Sequence, residues 1–181
     1  MNTKPDEPAF ERALHHSLRQ YLLSKGVVGE VFPECPDVEQ KWQDIATAYL
    51  PDGVREFNDF PTASLGWMMY IGMAMAQFWD TDWDTYSRLP GIYAMLRDKR
   101  GYDLMDEYIR EDVLRLGAGD YDAVETLMSD CATHVHGLLR HEGFEAGTPE
   151  AFRAFVACLH QLYLAGCACQ LHRLGYRMTH L

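Results

Sequence analysis

Residues 77–86 read QFWDTDWDTY, and within them Asp80, Asp82 and Asp84 alternate with bulky or hydroxylic neighbours. Carboxylates at alternate positions open a calcium loop of the EF-hand type. Such a loop then needs Gly at its sixth position and a bidentate Glu at its twelfth. Those positions hold Thr85 and Gly91, so the motif fails. The expected role is helix capping: Thr81 followed by Asp84 resembles a capping box, and carboxylates are favoured near a helix N-terminus. A divalent-cation site is the competing reading.

A second acidic group lies at Asp103, Asp106, Glu107, Glu111 and Asp112. On a regular helix, Asp103, Glu107 and Glu111 share one face. Two facing acidic helices can hold Mg²⁺ against a diphosphate, because Mg²⁺ is a hard ion that takes oxygen ligands. Arg97, Lys99, Arg100 and Arg110 are the cations such a site would use. This gives one alternative function: a divalent-metal-dependent hydrolase of phosphate or diphosphate esters, with Mg²⁺ held by Asp80, Asp82, Asp84, Asp103, Glu107 and Glu111. The default for such charges is a solvated helix face.

Cysteine and histidine raise the question of zinc. Cys131-Ala-Thr-His134 and Cys169-Gln-Leu-His172 each place both side chains on one helix face. A helical hairpin turning near residue 145 sets Cys131 level with residue 159, leaving the two pairs ~15 Å apart along the axis. One chain could not close that site, since zinc–ligand bonds are about 2.0–2.3 Å; only a site shared across a dimer would remain. Cys158 and His160, the residues level with the first pair, point to opposite sides of their helix. The Glu-x-x-His pattern of carboxylate-bridged di-iron bundles is absent. Glu11 and His15, four apart, read as a surface pair. Cys167 and Cys169 lie in an apolar helix, where burial makes a thiol inert. There is no G-x-S-x-G elbow, P-loop or G-x-G-x-x-G.

Met68, Met69, Met73 and Met75 share a stretch with Trp67, Tyr70, Phe78 and Trp79. Methionine adapts to irregular apolar partners, so a second alternative is an apolar small-molecule pocket built from Trp67, Met69, Met73, Trp79 and Trp83. The plainer expectation is core.

The elements that must position these residues are helices. Phe10, Leu14, Leu18 and Tyr21 repeat at helical spacing over residues 8–25, with Gly26 after the end. Val27 to Phe32 is broken by glycine and followed by prolines, and reads as loop. Asp37 with Gln40 suggests a capping box for a helix carrying Trp42, Ile45 and Tyr49 inward and stopped by Pro51. Residues 52–60 then read as irregular, with Phe57 and Phe60 inward. Pro61 opens a central apolar helix over 62–79, on which Ser64, Gly72 and Ala76 form a small-residue line. Shorter helices follow over 82–89, 91–99 and 103–116. Two long ones run from Asp120 to Glu142 and, after Thr148-Pro149-Glu150, to about residue 174. The expectation is one all-α domain spanning 1–181, a bundle of about six to eight helices around 62–79.

Composition narrows the classes of function. The chain has 181 residues and a net charge of −11, so it offers no basic surface to displace counterions from nucleic acid or to meet an anionic membrane. Ala63 to Trp79 is uncharged but short for a span, and its flanks are acidic. Ala154 to Leu171 is interrupted by His160, Gln161 and Gln170. Five cysteines and no signal-like N-terminus point to free thiols in a cytoplasmic setting. No cofactor is implied outside the Mg²⁺ alternative. The favoured expectation is a non-catalytic soluble helical module that self-associates or binds a protein partner. Its surplus apolar helix faces would pair between subunits.

Overall fold

Two glycines set the central crossing of this molecule. The computed structural model describes residues 7–176, and the chain there forms eight α-helices and no strand. They are α1 (Glu7–Ser24), α2 (Pro36–Glu39), α3 (Trp42–Asp59), α4 (Pro61–Tyr86), α5 (Ile92–Asp98), α6 (Met105–Tyr108), α7 (Ala118–Glu142) and α8 (Pro149–Arg173). A 3₁₀ turn, Tyr102–Leu104, leads into α6, and a π-helical turn, Ile109–Val113, leaves it. The all-α expectation holds.

Helix α4 is the hub, packed on α8, α7 and α3, while α1 lies against α7 and α8. It buries residues on every side, Leu65, Met68, Met69, Ile71, Met73 and Met75 among them. Where α4 crosses α8, a Cβ on Gly72 would run into the Tyr163 carbonyl, and one on Gly166 into the Met69 carbonyl. The two backbones therefore touch reciprocally, one glycine from each helix. Gly72 belongs to the small-residue line legible in the sequence. Ser64, on the same line, donates to the Gly53 carbonyl at 2.7 Å and ties α4 to α3.

Several boundaries differ from the sequence reading, each for an identifiable reason. Pro51 does not stop α3, which runs on to Asp59. Both Pro51 and Thr47, whose carbonyl loses its helical donor, are exposed, so water can serve that carbonyl. Residues 52–60 are thus mostly helical, with Phe57 partly buried but Phe60 turned out, at 63% exposed. Asp37 does not cap its helix. Its carboxylate accepts from Trp79 Nε1 at 3.0 Å, and the short α2 ends before a new start at Trp42. The central helix runs slightly past residue 79 to a break at Asp82 (φ −159°, ψ 70°), and the short helix expected over 82–89 follows that break but ends at Tyr86; the two together are α4. Residue 120 lies in the first turn of α7 rather than at its cap, which is Gly117.

Other ends fall as expected. Gly26, at φ +73°, closes α1 with bonds from its own N–H to Leu23 O and from Val27 N–H to Leu22 O, a Schellman motif. Thr148 caps α8, accepting from Ala151 N–H at 3.1 Å. Helix α8 is long and apolar enough, by length and composition, to cross a membrane; 78% of its most apolar window is buried inside the protein, chiefly on α4.

Candidate functional site

The aspartate trio is exposed and its members act separately. Asp82 Oδ1 accepts from Thr85 N–H at 3.3 Å, so Asp82 itself caps the last turn of α4. Capping is the right kind of role, but Thr81 does not fill it: its hydroxyl points back to Gln77 O at 3.0 Å. Asp80 accepts from the Tyr176 hydroxyl at 2.8 Å. Asp103, Glu107 and Glu111 do not lie on one regular α-helix. The backbone passes through 3₁₀, α and π geometry in turn, and the π turn, closed by Leu114 N–H to Ile109 O at 2.8 Å, shifts every later side chain around the axis. Among the described residues, no three His, Cys, Asp or Glu side chains are grouped to hold a metal ion. Three of the four nearby cations are engaged by carboxylates: Arg97 with Asp52 and Asp98, Arg100 with Glu111 and Asp112, Arg110 with Asp106 and Glu125.

The five aromatic and methionine candidates do not gather around one of the main clefts formed by the described residues. Met69 and Met73 are fully buried in the α4–α8 crossing. Trp67 borders a cleft toward α7, Met73 a different one toward Gly26 and His172, Trp79 lies edge-on to Tyr176, and Trp83 is only partly buried.

All five thiols are buried and free, and burial raises the pKa of each, that of Cys131 to about 12. None is a poised nucleophile at neutral pH. The hairpin register differs from a symmetric turn at residue 145. Asp120 pairs with Arg173 at 3.8 Å, and Cys131 lies near enough to Cys169 to add to burial in holding its thiol protonated. His134 is nonetheless committed elsewhere, stacked on Tyr21 and bonded to Ser17 at 2.9 Å. Cys158 is core, while His160 faces away, stacked on Trp42 and bonded to Glu39 at 2.8 Å. Glu11 is 3.7 Å from His160 and accepts from Gln161, and His15 bonds Gln161, so that apparent surface pair is bridged by Gln161 of α8.

What the structure assembles instead is an apolar groove of about 400 Å³ between the second half of α3 and the start of α8. Phe57 and Phe155 form its floor, their ring centroids 4.8 Å apart. Val54 and Phe152 stand on its rims at 40% and 47% exposed. Ala146, Gly147 and Ala151 leave one end open because their side chains are small or absent. Val54, Phe57 and Asn58 align at three-and-four spacing only because α3 continues past Pro51. Reading Pro51 as a stop hid the groove. Phe60 adds a further exposed ring just beyond α3.

Asp106 and Arg110, noted in the sequence only as members of a charge run, form a deeply placed ion pair, their side chains 14% and 3% exposed. Arg110 is 2% exposed, reaches Asp106 Oδ2 at 2.8 Å and Glu125 Oε2 at 2.9 Å, and lies 4.0 Å from the Tyr121 ring centroid. Burial raises the Asp106 carboxyl pKa and Arg110 pulls it back down in part. The i,i+4 spacing of 106 and 110 was the available signal. Set against known proteins, the chain matches no family model, no curated protein and no solved structure.

Proposed function

We propose that this chain is a non-catalytic helical module that associates with a second copy of itself through the α3–α8 groove. The observation that carries the reading is the pairing of concave and convex apolar surface on one face: a floor of Phe57 and Phe155 beside the protruding Phe152 and Val54. A two-fold interface needs a surface complementary to itself, and a groove bordered by its own plugs meets that need. Exposed apolar area gathered at one place, rather than scattered singly, is what marks an association surface. The buried, protonated thiols and the pairing of Arg97, Arg100 and Arg110 with carboxylates weaken the cysteine-nucleophile and diphosphate readings at those residues.

The test is light scattering over a wide dilution series. A dimer that dissociates on dilution is expected, and Phe152→Glu is expected to leave a monomer with an unchanged helical circular dichroism spectrum. A wild-type chain that stays monomeric at every concentration, or a Phe152→Glu dimer as tight as wild type, overturns self-association through this face.

A further inference from the structure

A smaller cleft of about 200 Å³ opens between α4, α6 and α7. We infer that it binds a small organic ammonium ion. Its walls include Trp67 and Tyr70 from α4, Asp106 from α6, and Glu125 and Ser129 from α7.

The first observation is an unpartnered polar group. Tyr70 is 1% exposed, it borders the cleft, and its buried hydroxyl has no hydrogen-bond partner. A buried hydroxyl left unpaired costs about 1–3 kcal/mol, so a ligand or solvent that serves it is favoured. The second, independent observation is the charge around it. Arg110 engages one oxygen of each acid, Asp106 Oδ2 and Glu125 Oε2. Two carboxylates against one guanidinium leave the cleft net negative, and Glu125 Oε1 is not engaged by Arg110. The third is a fixed aromatic wall: the Trp67 indole is held by its Nε1–H bond to Tyr102 O at 2.7 Å.

These features select the ligand class. An anion would face two carboxylates, and Arg110 is too buried and too fully bonded to greet it. A metal ion lacks donors, since no three are grouped. An ammonium group can donate to the Tyr70 oxygen and to Glu125 while its carbon lies on the Trp67 face, the arrangement by which aromatic walls hold organic cations. Arg110 over Tyr121 shows the same chemistry already working in the adjoining wall. The volume suits a short alkyl chain.

The experiment is isothermal titration of the full chain with n-propylammonium chloride. Alongside it, the Trp67 indole N–H is followed by ¹H–¹⁵N NMR, with n-propanol and sodium propionate as neutral and anionic controls. The ammonium ion is expected to bind and shift the Trp67 signal, and the two controls are not. Tyr70→Phe and Glu125→Gln should each weaken binding about tenfold, while Glu142→Gln, at the far end of α7, leaves it unchanged. Glu125 is 59% exposed, so its variant keeps the fold even if Tyr70→Phe disturbs it. No binding, equal binding of propanol, or equal affinity across all three variants overturns the inference. Equal affinity would mean diffuse attraction to an acidic protein, and no binding would mean a cleft filled by water alone.

Discussion

At the scale of single residues, Arg110 shows how position, not type, decides what a charge does. Four arginines and lysines cluster between residues 97 and 110, and in the sequence they are interchangeable. Only the π turn brings one of them inside, against Asp106, Glu125 and Tyr121. Because burial outweighs the arginine at Asp106, that carboxyl has a raised pKa in the folded state and binds its proton more tightly there than in the unfolded chain. The sign follows: this group costs the fold stability as pH rises from its unfolded pKa, about 3.9, through its folded one. Arg110→Met removes the counter-charge, raises the folded pKa further and widens that window. Urea unfolding is therefore expected to show a loss of about 3 kcal/mol at neutral pH, shrinking as the pH falls toward 4 and Asp106 takes its proton in both states. A loss independent of pH would mean that Arg110 acts through packing alone. The sequence offered the i,i+4 pairing of these two residues but not the π turn, which arises from the local fit of 105–116 to α4 and α7.

At the scale of elements, apolar periodicity made the helices legible, because each buries a stripe whose spacing survives in the sequence: Phe10, Leu14 and Leu18 in α1, or Val124, Met128, Cys131 and Val135 in α7. Breaks were less legible, because they depend on surroundings. Pro51 reads as a terminator unless it is known that its side of α3 faces water. Asp82 breaks α4 by offering its own side chain to Thr85 N–H, a local bond that competes with the helix ladder. The groove was invisible for the first of these reasons, and the Trp67–Tyr70 cleft for another: its acids come from α6 and α7, which no spacing within one helix can bring together. The crossing of α4 on α8 was half visible, through Gly72 but not Gly166, and it yields a sharp test. In an isolated helix Gly→Ala gains about 1 kcal/mol. At Gly72 or Gly166 the new Cβ would meet backbone carbonyl, which cannot swing aside, and overpacking of that kind costs about 1–3 kcal/mol or more. Gly72→Ala and Gly166→Ala are each expected to lower stability in urea titrations by about 2 kcal/mol. Gly137→Ala, on α7 with open space around it, is expected to raise it by up to about 1 kcal/mol. The same sign at all three positions would mean that the helices can move apart freely.

At the scale of the whole molecule, charge and apolar surface oppose one another. Each chain carries −11, so two copies repel over distances of about a Debye length, ~10 Å in 0.1 M salt and ~3 Å in 1 M. The groove residues are uncharged, and the arginines nearest them, Arg55 and Arg153, are already taken up by Asp52 and Glu150 on their own helices. Association through this face therefore has an apolar attraction that salt does not weaken and a repulsion that salt screens. Raising sodium chloride is expected to tighten the dimer progressively, with the dissociation constant from sedimentation or light scattering falling and then levelling as screening completes. Phe152→Glu, which puts a carboxylate on the groove's rim, should abolish association at low salt and leave it weak at high salt, because screening removes the repulsion but does not restore the lost ring. An interface built on ion pairs would behave the other way, loosening as salt is added. That outcome would move the contact off the α3–α8 face.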